Sequence, residues 1–226
     1  MSNRTVCVIL SGGQDSTTCL FYAIHIYGLS NVCAVSFDYG QRHVTELDAA
    51  KSICALAGVT RHEIIKVPVF GGSPLLSRDA DADVAAQGSD GLPATFVEGR
   101  NLVFLTIALN YAASISDTSD ELILVTGVCE TDYSGYPDCR DSTMRALELA
   151  MASGAGREVF IETPLMRFSK ADTVRLAVRL GEPCITAVRK YSVTCYNGLR
   201  PGCGRCPSCV LRAKGFAVAG VDDAIS

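Results

Sequence analysis

The stretch "TVCVILSGGQDSTTCL" (residues 5–20) sets an apolar, β-branched run directly before two glycines and a helical pattern. This order predicts a buried strand, a tight turn and a helix. A turn alone needs one glycine, whereas this one holds Gly12 and Gly13 together with Ser11, Asp15 and Ser16. The surplus of small and polar residues indicates that a ligand lies against the backbone there.

The rest of the chain repeats the alternation of strands and helices. Strands are predicted at 5–10, 32–37, 62–67, 121–127 and 158–163, and helices at 16–27, 45–57, 101–115, 140–152 and 169–180. The alternation predicts βαβ units and therefore an α/β fold with a doubly wound parallel sheet. We expect the α/β domain to cover residues 1–190 and a small cysteine-rich segment with a helix packed on it to cover 191–226.

Composition narrows the class of protein. Apolar residues make up 48% of the chain and charged residues 19%, which favours a packed core over disorder. No apolar run reaches the roughly 18 residues that span a bilayer, and the N-terminus lacks a signal-peptide core, so we expect a cytoplasmic protein without membrane contact. The net charge of -4 offers no basic face for nucleic acid, which favours small-molecule substrates.

The turn after the first strand is predicted to bind an anion. A helix N-terminus presents unpaired N–H groups and the positive end of the helix dipole. Gly12 and Gly13 let the backbone approach a phosphate, Ser11 and Ser16 add hydroxyl donors, and Asp15 can serve as an N-cap or help to hold Mg²⁺. Neither the Walker A pattern nor G-x-G-x-x-G fits these residues. A Gly-Gly turn without a ligand is the alternative.

Four of the eleven cysteines cluster near the C-terminus. "TCYNGLRPGCGRCPSC" (194–209) holds Cys195, Cys203, Cys206 and Cys209. Four thiolates suit a tetrahedral structural zinc site, which leaves no open position for a substrate. An iron–sulfur cluster is the alternative, but the fourth cysteine of a ferredoxin-type run is missing, and Arg212 stands three residues after Cys209. The other seven cysteines are scattered singly and are predicted to pack in the core.

Two further polar segments are candidates for ligand contact. "TGVCETDYSGYPDCRDS" (126–142) opens at the carboxyl end of a predicted strand, where open parallel sheets bind ligands. Its acids and tyrosines suit a flat heterocycle; the alternative is a solvated loop with Asp138 as N-cap of the next helix. Residues 68–100 are rich in Gly, Pro and Asp, and are predicted to form either a lid or a surface insertion.

Several motifs resemble a known family. "SGGQDS" (11–16) resembles the pyrophosphate loop of the N-type ATP pyrophosphatase superfamily. "FDYGQRH" (37–43), at the end of the second predicted strand, occupies the place where that superfamily usually holds adenine and ribose; an ordinary strand-to-helix turn is the alternative. With "FVEGRN" (96–101), the 126–142 segment, "TPLM" (163–166) and the cysteine cluster, the chain resembles the QueC family of 7-cyano-7-deazaguanine synthases over essentially its whole length. The family commonly has proline where Glu98 stands, a difference that bears on the stiffness of that turn.

The resemblance implies an adenine nucleotide alpha hydrolase-like fold and an ATP-dependent carbon-nitrogen ligase. The implied reaction converts 7-carboxy-7-deazaguanine and ammonia to 7-cyano-7-deazaguanine through an adenylated carboxylate and an adenylated amide, in queuosine biosynthesis. It further implies Mg²⁺ with the ATP, one structural Zn²⁺ per chain and a homodimer. Two other functions stay open: a PP-loop tRNA-thiolating adenylase, and a non-catalytic nucleotide-sensing zinc-ribbon module.

The resemblance also implies site residues. The ATP-binding residues would be Leu10, Ser11, Gly12, Gly13, Gln14, Asp15, Ser16, Thr17, Thr18, Cys19 and Leu20. Lys170, in "RFSKAD" (167–172), resembles a superfamily lysine that neutralises the departing pyrophosphate, and Arg100 and Asn101 are candidates for the same task. Candidates for contact with the deazaguanine base are Glu130, Asp132 and Tyr133. Among the histidines, only His43 lies in a matched motif.

Overall fold

The structure, a computed structural model, describes residues 3–40, 45–68, 96–131 and 136–224 of the 226-residue chain. In these ranges five strands form one parallel sheet in the order β3-β2-β1-β4-β5. The strands are β1 Arg4–Ile9, β2 Val32–Asp38, β3 His62–Lys66, β4 Glu121–Val125 and β5 Val159–Glu162. The predicted α/β fold with a doubly wound parallel sheet is confirmed.

The helices connect successive strands and extend the chain beyond β5. The α-helices are α1 Gln14–Tyr27, α2 Thr45–Ala57, α3 Arg100–Ser114, α4 Asp141–Ala155, α5 Lys170–Arg179, α6 Glu182–Thr186 and α7 Pro207–Ala219. Short 3₁₀ turns cover Leu29–Asn31 and Pro137–Cys139, and a π-helical turn covers Ala187–Tyr191. No helix in the described ranges is both long and apolar enough to cross a membrane.

Side chains of the central strand alternate between two cores. Val6 and Val8 of β1 pack with α1, α2 and α5 on one face of the sheet, whereas Cys7 packs with α3 and α4 on the other. Because both faces are covered, the central strands are apolar at almost every position. This explains why the run at residues 5–10 is continuous rather than alternating.

The element bounds lie within three residues of those predicted from the sequence. The largest difference is at α4, which continues to Ala155, three residues beyond the predicted end. Strand β4 ends two residues before its predicted end, and α1 begins two residues before its predicted start. Of the cysteines predicted to pack in the core, five are buried and two, Cys129 and Cys139, are partly exposed. Most of the predicted lid or insertion, residues 69–95, lies outside the described residues.

The C-terminal segment shares the core of the α/β layers. Val193 and Phe216 are buried in the same core as β1 and α1. Arg212 of α7 is buried and forms a bidentate pair with Asp223, donating from Nε and Nη2 at 2.7 and 2.9 Å. Its Nη1 also donates to Ser192 Oγ at 2.7 Å. These bonds hold α7 to Ser192, which follows the π-helical turn, and to Asp223, which follows α7 itself.

Candidate functional site

The loops after β1 and β4 leave the sheet on either side of the point where the strand order reverses. Such a point opens a crevice at the carboxyl ends of the strands, where α/β proteins bind ligands. The two loops touch directly, because a Cβ added to Gly127 would lie 3.1 Å from Asp15 Cβ and 3.1 Å from Ser16 N. The predicted anion loop and the predicted heterocycle segment therefore border one crevice.

Gly12 shapes the loop after β1. Its φ is +85°, a conformation that L side chains rarely adopt, and an added Cβ would lie only 2.3 Å from the carbonyl oxygen of Glu46. Gly13 is the N-cap of α1 and makes no side-chain capping bond. The expectation that Asp15 serves as the N-cap is therefore wrong, because Asp15 lies inside the first turn of α1.

Hydroxyl groups hold the loop from within. Ser11 Oγ and Ser16 Oγ are 3.0 Å apart, and the Ser16 hydroxyl also accepts from the Ser11 backbone N–H at 3.2 Å. The Thr17 hydroxyl donates to the Gly13 carbonyl at 2.7 Å. From the cysteine-rich segment, Val193 N–H donates to the Gly12 carbonyl at 2.9 Å. These bonds fix the loop carbonyls, while the first-turn amides of a helix have no acceptor within the helix.

Lys170 contacts the loop after β1, although it lies far from that loop in the sequence. It is the first residue of α5, whose N-cap Ser169 forms a capping box with Asp172. The Lys170 side chain is 15% exposed and its Nζ forms an ion pair with Asp15 Oδ2. The structure thus places the lysine singled out in the sequence against the carboxylate singled out in the loop.

Arg100 lies in the first turn of α3, beside the end of β2. Its guanidinium carbon is 5.8 Å from the centre of the Tyr39 ring, a distance that suits a cation–π contact. The Tyr39 ring in turn lies 5.3 Å from that of Phe104. The second half of the "FDYGQRH" motif, including His43, lies outside the described residues.

Asn101 is tied to the segment after β4. Its backbone N–H donates to Asp138 Oδ2 at 3.1 Å, and its side-chain Nδ2 donates to Cys139 Sγ at 3.4 Å. In the alternative of a solvated loop, Asp138 would be the N-cap of α4, but that N-cap is Arg140. The alternative is wrong on this point, because the buried Asp138 carboxylate accepts from the first turn of α3 instead.

Glu46 is a charged residue near the loop that the sequence reasoning missed. It lies in the first turn of α2, whose backbone packs on Gly12. Burial raises the pKa of its carboxyl to about 7, although the positive charge of Arg100 opposes the shift. The available signal was an acidic residue shortly after "FDYGQRH", at the start of the following helix.

The three candidates for the base are only partly described. Glu130 is exposed, and its Oε1 accepts from the backbone N–H of Asp141 at 2.8 Å, at the start of α4. Glu130 N–H also donates to the carbonyl of Met166 in "TPLM" at 3.0 Å. Asp132 and Tyr133 lie outside the described residues.

Aromatic side chains line the same end of the molecule. The rings of Phe96 and Tyr136 stack, with centres 5.5 Å apart and planes inclined by 23°. Burial raises the pKa of the Tyr196 phenol, and nearby Tyr136 raises it further, whereas Lys170 lowers it. Tyr196, which sequence reasoning did not single out, therefore lies among residues from the loop after β4, α5 and the cysteine cluster.

The four clustered cysteines are arranged to hold a metal ion. The sulfur atoms of Cys195, Cys203, Cys206 and Cys209 all lie within 4.8 Å of one another. Tetrahedral zinc with bonds of about 2.3 Å places its sulfur ligands about 3.8 Å apart, so the cluster fits such an ion. Backbone N–H groups of Cys203 and Cys206 donate to the sulfurs of Cys195 and Cys203 at 3.4 and 3.3 Å. The structure therefore confirms that the four predicted cysteines come together at distances that suit a metal ion.

Glycines allow the tight turns of the cysteine-rich segment, and its backbone amides stabilise a thiolate. Gly198 and Gly204 have φ of +63° and +74°, and a Cβ on Gly202 would lie 2.7 Å from Cys209 Sγ. Burial opposes ionisation of the Cys203 thiol, but hydrogen bonds from the backbone around Arg205 and Cys206 outweigh it and lower the pKa to about 6. The thiolate form, which metals bind, is therefore favoured at Cys203.

Comparisons with known proteins cover nearly the whole chain. The chain is 51% identical to a 7-cyano-7-deazaguanine synthase of Chromobacterium violaceum over 98% of its own length and 93% of that protein. It is also 51% identical to one of Laribacter hongkongensis, over 96% of its own length and 91% of that protein.

Among solved structures, one described as "Crystal structure of a 4-thiouridine synthetase - RNA complex with bound ATP" aligns with 96% of this chain and 50% of that one. The TM-score is 0.46 and the identity 16%. The family model described as "Queuosine biosynthesis protein QueC" matches residues 5–220. The chain therefore belongs to the QueC family of queuosine biosynthesis proteins.

Proposed function

We propose that the chain is an ATP-dependent ligase that makes 7-cyano-7-deazaguanine from 7-carboxy-7-deazaguanine and ammonia. Its 51% identity to synthases of that name, over 98% of the chain, favours this function over tRNA thiolation and over nucleotide sensing. The observation that carries the proposal in the structure is the ion pair of Lys170 with Asp15 at the start of α1. It places a cation beside a helix N-terminus suited to phosphate.

The proposed chemistry uses two adenylations. An oxygen of the substrate carboxylate attacks the α-phosphorus of ATP, so pyrophosphate leaves and an acyl adenylate forms. Ammonia then displaces AMP and gives the amide. The amide oxygen then attacks the α-phosphorus of a second ATP, so a second pyrophosphate leaves and an adenylated amide forms. Loss of AMP and of the two amide protons leaves the nitrile. The protein need only position the reactants and stabilise the developing negative charge, because ammonia itself is the nucleophile.

In this proposal residues 10–20 bind ATP, with its diphosphate portion at the N-terminus of α1. Lys170 neutralises the departing pyrophosphate, and Asp15, released from the ion pair, helps to hold Mg²⁺. Arg100 also helps to neutralise the departing pyrophosphate. Asn101 holds the start of α3 through the bond from its backbone N–H to Asp138. The hydroxyls of Ser11 and Ser16 keep the loop in shape.

The flat base is assigned to the segment after β4. The stacked rings of Phe96 and Tyr136 give an apolar surface of the right kind for a heterocycle. We retain Glu130, Asp132 and Tyr133 as candidates for its polar edge. Glu130 has one carboxylate oxygen in the bond with Asp141, which leaves the other oxygen for the base.

The remaining assignments concern the metal and the assembly. We propose that the four-cysteine cluster holds one structural zinc ion per chain, since zinc favours four thiolates in tetrahedral arrangement. Ferredoxin-type spacing would need a cysteine at position 213, where the chain has an alanine. We further propose a cytoplasmic homodimer that contacts small molecules and no nucleic acid. We propose that the α/β domain covers residues 1–190, and that the zinc-binding segment of residues 191–226 packs on it and shares its core.

The decisive experiment incubates the purified protein with 7-carboxy-7-deazaguanine, ammonium and Mg·ATP. We expect 7-cyano-7-deazaguanine with AMP and pyrophosphate as the nucleotide products, and two AMP for each nitrile formed. Omission of ammonium should leave the nitrile unformed. ADP and orthophosphate as products would contradict the proposal, and salt-dependent tRNA binding would favour the thiolation function.

A further inference from the structure

Gly215 stands in the interior of α7, where glycine is a poor choice. A glycine within a helix is less favourable than alanine, because it loses more backbone freedom on folding. Gly215 is buried, lies four residues before the helix ends at Ala219, and does not adopt the left-handed conformation that would require glycine. Its presence therefore calls for a reason in its surroundings.

The surroundings give that reason. A Cβ added to Gly215 would lie 2.7 Å from Lys170 Cβ, 3.1 Å from the Lys170 carbonyl carbon and 3.3 Å from its oxygen. Helix α7 thus crosses α5 directly at the residue whose ammonium meets Asp15. To relieve the closest contact to the 3.4 Å at which ordinary packing begins, α7 and Lys170 would have to separate by about 0.7 Å.

The backbone of Lys170 has little freedom to absorb this shift. Ser169 and Asp172, on either side of it in the chain, form the capping box that starts α5. Within α7 the buried Arg212 is held by Asp223 and by Ser192. The separation would therefore be transmitted to the Lys170 side chain rather than lost at a mobile end.

We propose that Gly215 is a positioning residue for the nucleotide site. Because it has no side chain, α7 packs against the first residue of α5 and sets the place of the Lys170 ammonium at the loop after β1. The inference rests on the proposed function, in which that ammonium acts on the phosphates of ATP. Misplacement of a charge-stabilising group by about 1 Å can cost about a hundredfold in rate.

The test compares Gly215→Ala with a matched glycine. Gly154, near the end of α4, is exposed and has no neighbour within 4 Å of an added Cβ. Gly215→Ala is expected to lower kcat for AMP release by about tenfold to hundredfold while the metal content stays unchanged. Gly154→Ala is expected to keep full activity. Full activity in Gly215→Ala would overturn the inference.

A double-mutant cycle with Lys170→Ala separates positioning from a general structural effect. If Gly215 acts through the Lys170 ammonium, Gly215→Ala should change the residual activity of Lys170→Ala by less than about twofold. A further full-sized loss in the double variant would overturn the inference. If Lys170→Ala alone leaves AMP release unchanged, the role of Lys170 in the proposed function fails, which is a different result.

A second variant covers the case in which Gly215→Ala does not fold. Lys170→Gly, made in the same chain, removes the Cβ that the new methyl group meets at 2.7 Å. We expect this pair to regain a cooperative melting transition and the metal. A chain that stays unfolded would show that the contact with the Lys170 side chain is not the reason for glycine at position 215, and would overturn the inference.

Discussion

Lys170 and Asp15, which are 155 positions apart in the chain, form an ion pair at the N-terminus of α1. Both side chains are mostly shielded from water, with exposures of 15% and 25%. An ion pair in such surroundings is screened less by salt than one on the surface. We expect the binding of ATP and Mg²⁺ to separate the pair. The Lys170 ammonium would then contact phosphate, and the Asp15 carboxylate would bind the metal ion.

Removal of the lysine should slow catalysis far more than it weakens folding. In Lys170→Ala we expect AMP release to fall by about 10²–10³-fold, because a single donor to developing negative charge contributes this much in other enzymes. The measurement is steady-state AMP release at saturating substrates. Lys214→Ala, which removes an exposed lysine of α7, is the control and should keep its activity. Similar losses in both variants would contradict the assignment.

Asp15→Ala should abolish AMP formation while the fold stays intact. The carboxylate is proposed to hold Mg²⁺, for which alanine offers no ligand. Product analysis and circular dichroism, taken on the same sample, provide the two readouts. Asp48→Ala removes an exposed acid of α2 and serves as the control. Normal turnover in Asp15→Ala would count against the proposed loop function.

Loss of one cluster cysteine should release the metal ion and loosen the C-terminal segment. We expect Cys206→Ser to contain far less than one zinc per chain and to melt at a lower temperature, because a structural zinc site contributes directly to folding. Metal analysis and thermal unfolding measure the two effects. Cys54→Ala changes a buried cysteine outside the cluster and should keep its zinc. If the wild-type protein contained iron and acid-labile sulfide, the proposal that the cluster holds zinc would be wrong.

Asp223→Ala should destabilise the protein by about 3–5 kcal/mol, because it leaves the buried Arg212 guanidinium without its bidentate partner. Urea unfolding measures the change. The neighbouring residue supplies the control, because the side chain of Asp222 is 96% exposed and its Oδ2 lies 3.9 Å from Arg189 Nη2. Asp222→Ala should cost less than about 0.5 kcal/mol. Equal effects would show that the buried pair makes no special contribution.

The Glu46 carboxyl should make stability fall as pH rises from about 4.5 to about 7. Its pKa is raised on folding, so the folded state holds the proton in this interval whereas the unfolded state releases it. Above about pH 7 the cost of the buried charge is fully present, offset in part by Arg100. Glu46→Gln should remove this slope, as measured by melting temperature across the interval.

The control for that slope is Asp48→Asn, which alters an exposed acid in the same turn of α2 and should melt with the pH dependence of the wild type. Parallel curves for Glu46→Gln and the wild type would show that the carboxyl does not titrate in this range. Tyr39, whose pKa burial raises, faces the same group, as does Arg100, and neither changes in these variants.

The fold was predictable because its signals are local. Strand β1 is buried on both faces and is therefore apolar from Val6 to Ile9, and Gly12 marks the sharp turn by its positive φ. The cysteine cluster was predictable because metal geometry restricts the spacing of ligands, so that Cys203, Cys206 and Cys209 are recognisable as a set. These features depend little on the rest of the chain.

The unpredicted features depend on contacts between distant elements. Asp138 precedes α4 but accepts from the first turn of α3, and only the packing of the two helices decides between them. The pKa of Glu46 depends on its burial in the folded chain, which no pattern in the sequence reports. The same holds for Gly215, whose contact with Lys170 arises from the crossing of α5 and α7.

The hydrogen bond from Val193 N–H to the Gly12 carbonyl has a consequence for shortened forms of the protein. Its donor lies two positions before the first cluster cysteine, so the cysteine-rich tail forms one wall of the loop after β1. A chain cut near residue 190 would also lose Phe216 from the core beside α1. The tail is therefore unlike a detachable appendage: a minimal catalytic fragment of this enzyme would have to retain it.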